Sequence, residues 1–396
     1  MTLEDVNVSG KTVLVRVDYN VPFAPNSTDI SDDSRIVASL DTVRYLIERD
    51  CRIVLCSHVG RPKGRVVDEL RVRPIASRLS ELLGRHVAVA PDCIGPEVAS
   101  VVSGMSPGGV VLLENLRFHS EEEANDAAFA QDLASIADLF VNDAFGAAHR
   151  AHGSIEGITH FLPSVSGFLM ARELEMLGRV LDDPGRPLIA VLGGAKASDK
   201  MAALRNLVSK ADTLIVGGGM AATFLLAEGL EVGDSLVEED KIPMAREIVE
   251  TARRAGVDLL LPSDVVIADA FSDDANNKVV MLDAIPAGWR IMDIGPRTTN
   301  AFAAALQAAG TVVWNGPMGV SEWESFSKGT ARMTETLANL ADATTVIGGG
   351  STAEAVVTFG FADAMTHVST GGGASLEFLE GKTLPGVAAL MPATDQ

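Results

Sequence analysis

Two lysines four residues apart follow an apolar segment of the sequence. The stretch "AVLGGAKASDKM" carries Lys196 and Lys200 just behind the apolar run Leu188–Leu192 and a glycine pair. The run predicts a buried strand, and Ser198 is expected to cap the helix that follows. Because helix starts favour anions and open α/β sheets bind ligands where strands turn into helices, the lysines predict a phosphate site. Solvated charges on an exposed helix start are the alternative.

The common nucleotide and hydrolase motifs are absent from the sequence. The lysine segment lacks the spacing of a P-loop, and no Gly-x-Gly-x-x-Gly fingerprint or Gly-x-Ser-x-Gly elbow occurs in the chain. A nucleotide site here must therefore use another geometry, and serine hydrolase chemistry has no support.

A second group of polar and charged residues follows the apolar runs of the first half. It lies in "RVDYNVP", "SHVGRPKG", "ENLRFH" and "GAAHRAHGS", with one arginine behind "DDS": Asp18, Asn20, Arg35, His58, Arg61, Arg117, His119, His149, Arg150 and His152. A single arginine in such a place is commonly a surface ion pair. Several at one sheet edge would repel one another unless an anion offset their charge, so together they predict a small polyanionic substrate.

His149 and His152 could alternatively share a metal ion. No carboxylate or cysteine beside them in the sequence completes a ligand set. A loop that lends Arg150 to an anion is therefore favoured.

Apolar runs of the second half end in glycines, at positions 193–194, 217–219, 348–350 and 371–373. Glycine lets backbone amides approach a ligand closely. One such end could be a simple turn, but several at one sheet edge indicate a nucleotide cleft.

Length and periodicity predict two domains. The chain has 396 residues, 47% of them hydrophobic, and both halves alternate apolar runs with helical segments. This pattern predicts two α/β domains whose parallel sheets are covered by helices. Between them, a helix from about Leu169 to Leu181, stopped by Pro184 and Gly185, is the expected hinge.

Charge and composition exclude several classes of function. The formal net charge of −21 argues against nucleic acid and anionic membranes as partners. The sequence shows no signal peptide and no 18-residue apolar run, which favours a cytoplasmic protein. Cys51, Cys56 and Cys93 lack metal-ligand spacing and are expected to be reduced core residues. Acidic clusters such as "HSEEEAND" fit either a salt-rich cytoplasm or an ordinary acidic enzyme.

Eight segments together resemble those of the phosphoglycerate kinase family. They are "VDYNVP", "SHVGRPKG", "ENLRFH", "AHRAHGS", "LGGAKASDK", "VGGGMAATFL", "VVWNGPMGV" and "HVSTGGGASLEFLEGKTLPGV", in the family's order and over nearly the full chain. The resemblance implies a monomer that transfers a phosphoryl group reversibly between 1,3-bisphosphoglycerate and MgADP, giving 3-phosphoglycerate and MgATP. It also implies two Rossmann-like domains joined by a hinge helix over 169–182. The N-terminal domain would span 1–168 with a returning tail 382–396, and the nucleotide-binding domain would span 183–381.

The resemblance further assigns roles, motif by motif. The phosphoglycerate ligands would be Asp18, Asn20, His58, Arg61, Arg117 and Arg150, with Arg35 orienting the reacting carboxylate. Lys196 would meet the transferring phosphoryl group and Lys200 the nucleotide phosphates. The remaining nucleotide contacts would come from Gly217, Gly218, Asn315, Glu322, Gly348, Gly349, Gly350, Ser351 and Thr352. Amides at Gly372 and Gly373 would add positive potential in the transition state.

One position departs from the family pattern. The family commonly has Gly-Gly-Gly-Asp-Thr where this chain has "GGGST", so Ser351 stands where an aspartate usually meets the nucleotide-bound Mg²⁺. A hydroxyl can ligate Mg²⁺ but brings no charge, so weaker or differently positioned metal binding is expected.

Two other functions remain alternatives. A phosphate-binding protein of this fold could have lost turnover, since fold alone does not fix function. A nicotinamide-dependent dehydrogenase would need the dinucleotide glycine fingerprint, which the chain lacks.

Overall fold

A computed structural model describes residues 1–25 and 27–390, which form two compact units. One contains Met1–Leu174 together with the segment that starts at Thr383, and the other contains Glu175–Lys382. Residues 391–396 of the predicted returning tail lie outside the described residues. The domain bounds 1–168, 169–182 and 183–381 stay a prediction.

The first unit is built on a parallel sheet. Its strands are β1 (Thr12–Arg16), β2 (Arg52–Cys56), β3 (Val87–Val89), β4 (Val110–Leu112), β5 (Leu139–Asn142) and β6 (Ser164–Ser166). They lie in the order β3-β4-β2-β1-β5-β6, and all neighbours are parallel. The helices are α1 (Ser34–Ala38), α2 (Leu40–Ile47), α3 (Arg73–Leu83), α4 (Pro96–Ser103), α5 (Ser120–Glu123), α6 (Ala127–Ala134) and, after the second unit, α15 (Pro385–Ala388).

Both faces of this sheet are covered, which explains why its strands are apolar throughout. Successive residues of β1 enter different cores: Val13 packs in the cluster that includes Leu46 of α2 and Leu79 of α3. Leu14 packs in the cluster that includes Val98 of α4 and Leu133 of α6. The alternation places two layers of helices around one sheet.

The helix predicted from about Leu169 to Leu181 is present as α7 (Phe168–Asp182). Its first turn is held by the buried carboxyl group of Asp143, whose Oδ1 accepts a hydrogen bond from the Met170 amide at 3.1 Å. Gly167 packs against this carboxyl group so closely that a Cβ there would collide with it. The start of α7 therefore depends on one buried acid.

We expect Asp143 to make the stability of the first unit pH-dependent. Burial raises the pKa of this carboxyl group from 3.8 to about 6, against opposing hydrogen bonds from Thr42, Met170 and Leu169. The group's contribution to stability is then complete below about pH 4 and lost as the pH rises through 6, a change of about 3 kcal/mol. Asp143→Asn removes the ionisation. In denaturant unfolding, the free energy of unfolding of the variant should therefore rise relative to that of the wild type between pH 4 and 7. A difference between the two proteins that does not vary with pH would contradict this.

The second unit contains another parallel sheet. Its strands are β7 (Leu188–Leu192), β8 (Thr213–Val216), β9 (Asp258–Leu260), β13 (Thr311–Asn315), β14 (Thr344–Gly348) and β15 (His367–Val368). Their order is β15-β14-β13-β7-β8-β9, again with parallel neighbours. The helices are α8 (Met201–Leu207), α9 (Ala221–Ala227), α10 (Ile242–Ala255), α11 (Pro296–Leu306), α12 (Lys328–Ala338), α13 (Gly350–Thr358) and α14 (Gly373–Leu379). The predicted α/β class with two parallel sheets is confirmed.

A small antiparallel sheet was not anticipated. The segment "GVDLLLPSDVVIA", expected to continue the parallel pattern, contributes only β9 to it. The rest becomes β10 (Asp264–Ala268), which pairs with β11 (Asn277–Met281) and β12 (Arg290–Ile294). Pro262 separates the two strands, and the Asp264 carboxylate accepts hydrogen bonds from the amides of Arg297 and Thr298 at the start of α11. These contacts fix β10 to α11 and away from the parallel sheet.

The cysteines are free and buried, as predicted. Burial raises the pKa of all three thiols, that of Cys56 to about 12. None of the described helices is long and apolar enough to cross a bilayer.

Candidate active site

The loop after β1 holds a charged triad in the first unit. Arg35, at the start of α1, places Nη1 3.1 Å from Asp18 Oδ2 and 3.1 Å from the Asn20 carbonyl oxygen. One-third of the Arg35 side chain is exposed, whereas that of Asp18 is 11% exposed. Arg35 is therefore oriented by two neighbours but keeps an open face.

Gly60 connects this triad to a second arginine. Its amide donates to Asn20 Oδ1 at 2.9 Å, and its carbonyl oxygen accepts from Arg117 Nη1 at 2.7 Å. Gly60 has φ +60°, a left-handed conformation that favours glycine. Arg117 is buried, and its Nε makes no hydrogen bond among the described residues, although Glu123 Oε1 lies 3.3 Å away.

A buried network that the sequence did not reveal lies beneath these residues. Arg16, inside β1, donates from Nη2 to His58 Nδ1 at 3.0 Å and from Nε to Ser154 Oγ at 2.9 Å. Ser154 in turn donates to the buried Glu122 through its amide and its hydroxyl group. The one indication of this network in the sequence was the charged Arg16 inside the apolar run "TVLVRVD".

His58 and His152 are neutral at pH 7. Burial, together with Arg16 and Arg117, holds the pKa of His58 well below 6.5. The same causes lower the pKa of His152 to about 4. Because His58 Nδ1 accepts from Arg16, its proton lies on Nε2, which is then a neutral donor. Glu122 and Glu123 offset part of the arginine charge within the protein.

Of the positive groups that were predicted to converge on an anion, the contacts place some together and turn others away. Arg150 lies near enough to affect the pKa values of both His58 and His152, and its Nε meets His149 Nε2 at 3.1 Å. Arg61 is exposed and has no hydrogen bond or ion pair to another described residue. His119, which we expected to bind the anion, turns its Nε2 to Asp92 Oδ1 at 2.7 Å, because the loop before α4 brings that carboxylate to it.

In the second unit, the loops after β7, β8 and β13 bind one another through their backbones. The Gly194 amide donates to the Pro317 carbonyl oxygen at 2.8 Å, and the Gly218 amide donates to that of Met318 at 3.1 Å. A Cβ at Gly218 would lie 2.6 Å from the Gly194 nitrogen. The glycines therefore allow three strand ends to meet closely.

Lys200 and Asn315 meet where the loops after β7, β8 and β13 come together, a region called the nucleotide platform below. Lys200 Nζ donates to Asn315 Oδ1, while the buried Asn315 Nδ2 has no hydrogen-bond partner among the described residues. Burial lowers the pKa of Lys200. Thr352 is buried, and its Oγ1 accepts from the Gly316 amide at 2.6 Å, so it supports the loop after β13; its phosphate contact stays a prediction.

The expected role of Ser198 as helix cap is wrong. Helix α8 begins at Met201 with Lys200 as its N-terminal neighbour, and residues 198–200 form a turn. The Ser198 amide donates to Glu238 Oε2 at 2.7 Å, which holds it outside the helix.

A cleft of about 670 Å³ opens beside the platform. Of the predicted nucleotide contacts, Glu322 and Ser351 line it. The cleft is also lined by residues that no sequence motif had indicated, which are Leu236, Phe271, Arg290 and Trp323. The Phe271 and Trp323 rings lie 4.7 Å apart, and the Arg290 Nε is buried without a hydrogen-bond partner among the described residues. The cleft thus combines apolar walls with an unpaired donor.

Several predicted residues lie exposed around the same sheet edge. Lys196 and Gly350 are exposed in the loop after β7 and at the start of α13, and Gly372 and Gly373 begin α14. The arrangement offers amides and cations to an anion.

A protein-family model described as "Phosphoglycerate kinase" matches residues 3–382 of the chain. The chain belongs to the phosphoglycerate kinase family. It is 54% identical to a protein named phosphoglycerate kinase from Moorella thermoacetica over 390 residues, 98% of each chain. It is 53% identical to one from Triticum aestivum named "Phosphoglycerate kinase, cytosolic", over 98% of this chain and 97% of that protein. The family resemblance predicted from the motifs is confirmed.

Solved structures of the family share the fold. The phosphoglycerate kinase from Coxiella burnetii superimposes with a TM-score of 0.88 at 40% identity, over 98% of both chains. That from Pyrococcus horikoshii OT3 gives 0.86 at 34% identity, also over 98% of both chains.

Proposed function

We propose that this chain is an active phosphoglycerate kinase, which transfers a phosphoryl group reversibly between 1,3-bisphosphoglycerate and MgADP to give 3-phosphoglycerate and MgATP. Phosphotransfer is the activity of its family. We further propose that it acts as a cytoplasmic monomer.

One observation favours an active enzyme over a binding protein of the same fold that has lost turnover. Buried nitrogen donors without a hydrogen bond occur both in the first half-site, the group around Arg35 and Arg117, and in the second half-site, the loops and cleft around Lys200 and Asn315. In the first unit this donor is Arg117 Nε, which keeps an ion-pair contact with Glu123 Oε1 at 3.3 Å. In the second unit these donors are Arg290 Nε and Asn315 Nδ2. An unpaired buried donor costs about 1–3 kcal/mol, so such groups persist where a ligand supplies the acceptor. Phosphoglycerate and a nucleotide are rich in acceptor oxygens.

The chemistry needs no general base from the protein. The acceptor in the ATP-consuming direction is a carboxylate, which is ionised at pH 7 because such acids have a pKa of roughly 3–4. The barrier comes from bringing one anion in line with another. Positioning and cationic stabilisation of the moving group therefore carry the catalysis.

The first half-site is proposed to bind phosphoglycerate. Asp18 and Asn20 would hold its hydroxyl end, and neutral His58 would donate from Nε2. Its phosphate would meet the arginines Arg61, Arg117 and Arg150. Arg35, oriented by Asp18, would direct its open face to the reacting carboxylate.

The second half-site is proposed to bind the nucleotide. The apolar walls of the cleft suit a base, and Glu322 suits the ribose hydroxyl groups. Lys200, fixed by Asn315, would hold phosphate oxygens, whereas the exposed Lys196 would meet the transferring group. Gly217 and Gly218, whose amides donate to backbone carbonyl oxygens of the same unit, would lie against the base. Gly348, Gly349 and Gly350 would line the path of the phosphates.

Mg²⁺ fits this half-site mainly as a ligand of the nucleotide itself. Ser351 offers an exposed hydroxyl group at the cleft, and among the described residues no group of three acidic, histidine or cysteine ligands lies there. When bound, the ion would neutralise charge on the triphosphate.

Ser351→Asp is expected to tighten Mg²⁺ binding by about tenfold, because it adds a carboxylate ligand at the cleft. Titrating the metal dependence of turnover at fixed ATP measures this. The matched control is Ser235→Asp, on the same cleft. An unchanged metal requirement in Ser351→Asp would exclude this position for the ion.

Transfer between half-sites on two units requires that the units close about the start of α7. With both substrates bound, the radius of gyration from X-ray scattering should fall, and with either one alone it should fall less. A radius unaffected by the ternary mixture would contradict hinge closure.

The proposed function is tested by coupled assay of ADP release. The purified chain, MgATP and 3-phosphoglycerate should give turnover that stops when 3-phosphoglycerate is omitted. Calorimetric binding of both ligands without turnover would instead support the non-enzymatic binding protein.

A further inference from the structure

Asp92, Cys93 and His119 form a group of metal-ligating side chains that the proposed reaction does not use. One ligand atom of each lies within 4.8 Å of the other two. His119 Nε2 lies 2.7 Å from Asp92 Oδ1. Sequence spacing concealed the group, since 25 residues separate Cys93 from His119.

The fold fixes all three side chains. Cys93 is fully buried in a core cluster with Val98, Leu116 and Phe129. Its amide donates to Asp92 Oδ1 at 2.7 Å, and the His119 ring packs against Phe129 with centroids 5.7 Å apart. A metal ion would therefore meet ligands that are already positioned, which lowers the entropic cost of binding.

The group is open to solvent on one side. The Asp92 side chain is 47% exposed and that of His119 26% exposed, above the buried sulfur. This geometry gives an entry path and leaves a fourth position for water, as in three-ligand zinc sites.

We propose that Asp92, Cys93 and His119 form a binding site for Zn²⁺. A thiolate with an imidazole favours Zn²⁺, whereas Mg²⁺ prefers oxygen ligands alone. On binding, the Cys93 thiol gives its proton to solvent, His119 carries its remaining proton on Nδ1, and the two anionic ligands balance the charge of the ion. The site is distinct from the Mg²⁺ that accompanies the nucleotide.

The test uses the full chain, freed of metal with a chelator, and Co²⁺ as a spectroscopic probe. We expect one equivalent of Co²⁺ to produce a thiolate charge-transfer band in the near ultraviolet, and Zn²⁺ to abolish it. Cys93→Ser should lose the band, and His119→Gln should bind Zn²⁺ more than about tenfold less tightly. Cys51→Ser, which changes another buried thiol, should retain both properties.

Circular dichroism shows whether each variant is folded. If Cys93→Ser does not fold, Asp92→Asn serves instead, because this side chain is nearly half exposed. Absence of the band in the wild type, an equal band in Cys93→Ser, or displacement of Co²⁺ by millimolar Mg²⁺ would each overturn the proposal.

Discussion

Lys196→Ala is expected to lower kcat by about 10²–10³-fold while changing the KM for ATP little. The side chain is exposed and has no ion pair with another described residue, so it is free to follow a group that moves between substrates. An interaction made mainly in the transition state lowers kcat when it is removed, whereas one made equally in the ground state raises KM. Steady-state kinetics with MgATP varied at saturating 3-phosphoglycerate measures both constants.

Two variants complete this experiment. Lys200→Ala should mainly raise the KM for ATP, since Lys200 is held by Asn315 at the nucleotide platform. Arg332→Ala removes an exposed cation of the same unit that pairs with Glu335, and should leave both constants unchanged. If Lys196→Ala raises KM and leaves kcat intact, Lys196 is a ground-state contact and not a catalytic residue.

Arg35→Ala is expected to lower kcat by about 10³-fold, in the range found for a cation that stabilises phosphoryl transfer. Asp18 and the Asn20 carbonyl oxygen hold one guanidinium nitrogen, which leaves the others to meet the acceptor carboxylate. Arg35→Lys should recover little activity, because an ammonium group cannot keep both protein contacts and a bidentate contact to substrate.

The matched control for Arg35 is Arg44→Ala, which changes an exposed arginine of α2 in the same unit. Activity equal to wild type in Arg35→Ala would place the reacting carboxylate elsewhere. Binding of 3-phosphoglycerate, followed by calorimetry, separates a loss of transfer from a loss of substrate affinity.

The sheet strands could be predicted because burial on both faces leaves a continuous apolar signature. The runs around Val13 and Val191 needed no tertiary information. Strand β10 has the same composition but lies in another sheet, since its side-chain bonds to α11 decide its place and those partners are more than thirty residues away. The predicted start of α8 was wrong for the same reason, because Ser198 is held outside the helix by Glu238, which is distant in sequence.

Residues of the candidate site that belong to a sequence motif could be predicted. Residues that only the fold brings together could not. Arg16 was visible as a charged residue in an apolar strand, but no local pattern paired it with His58, which it orients. Arg290 and Trp323 line the cleft from elements that carry no phosphate motif. Cys93 and His119 meet because the segment after β4 runs beside the loop before α4, where the Glu114 amide donates to the Asp92 carbonyl oxygen at 3.3 Å. Such pairings depend on topology, which local patterns do not encode.

The segment that begins at Thr383 has a consequence for how the protein is made. Leu384 is buried, and the Gly386 amide donates to the Ala148 carbonyl oxygen at 2.8 Å, so residues translated after the whole second unit complete the first. On the ribosome, the second unit can finish folding before the first has received its last piece of core. Although domains generally fold in the order of synthesis, the first unit here stays incomplete until residues 383–390 have been translated.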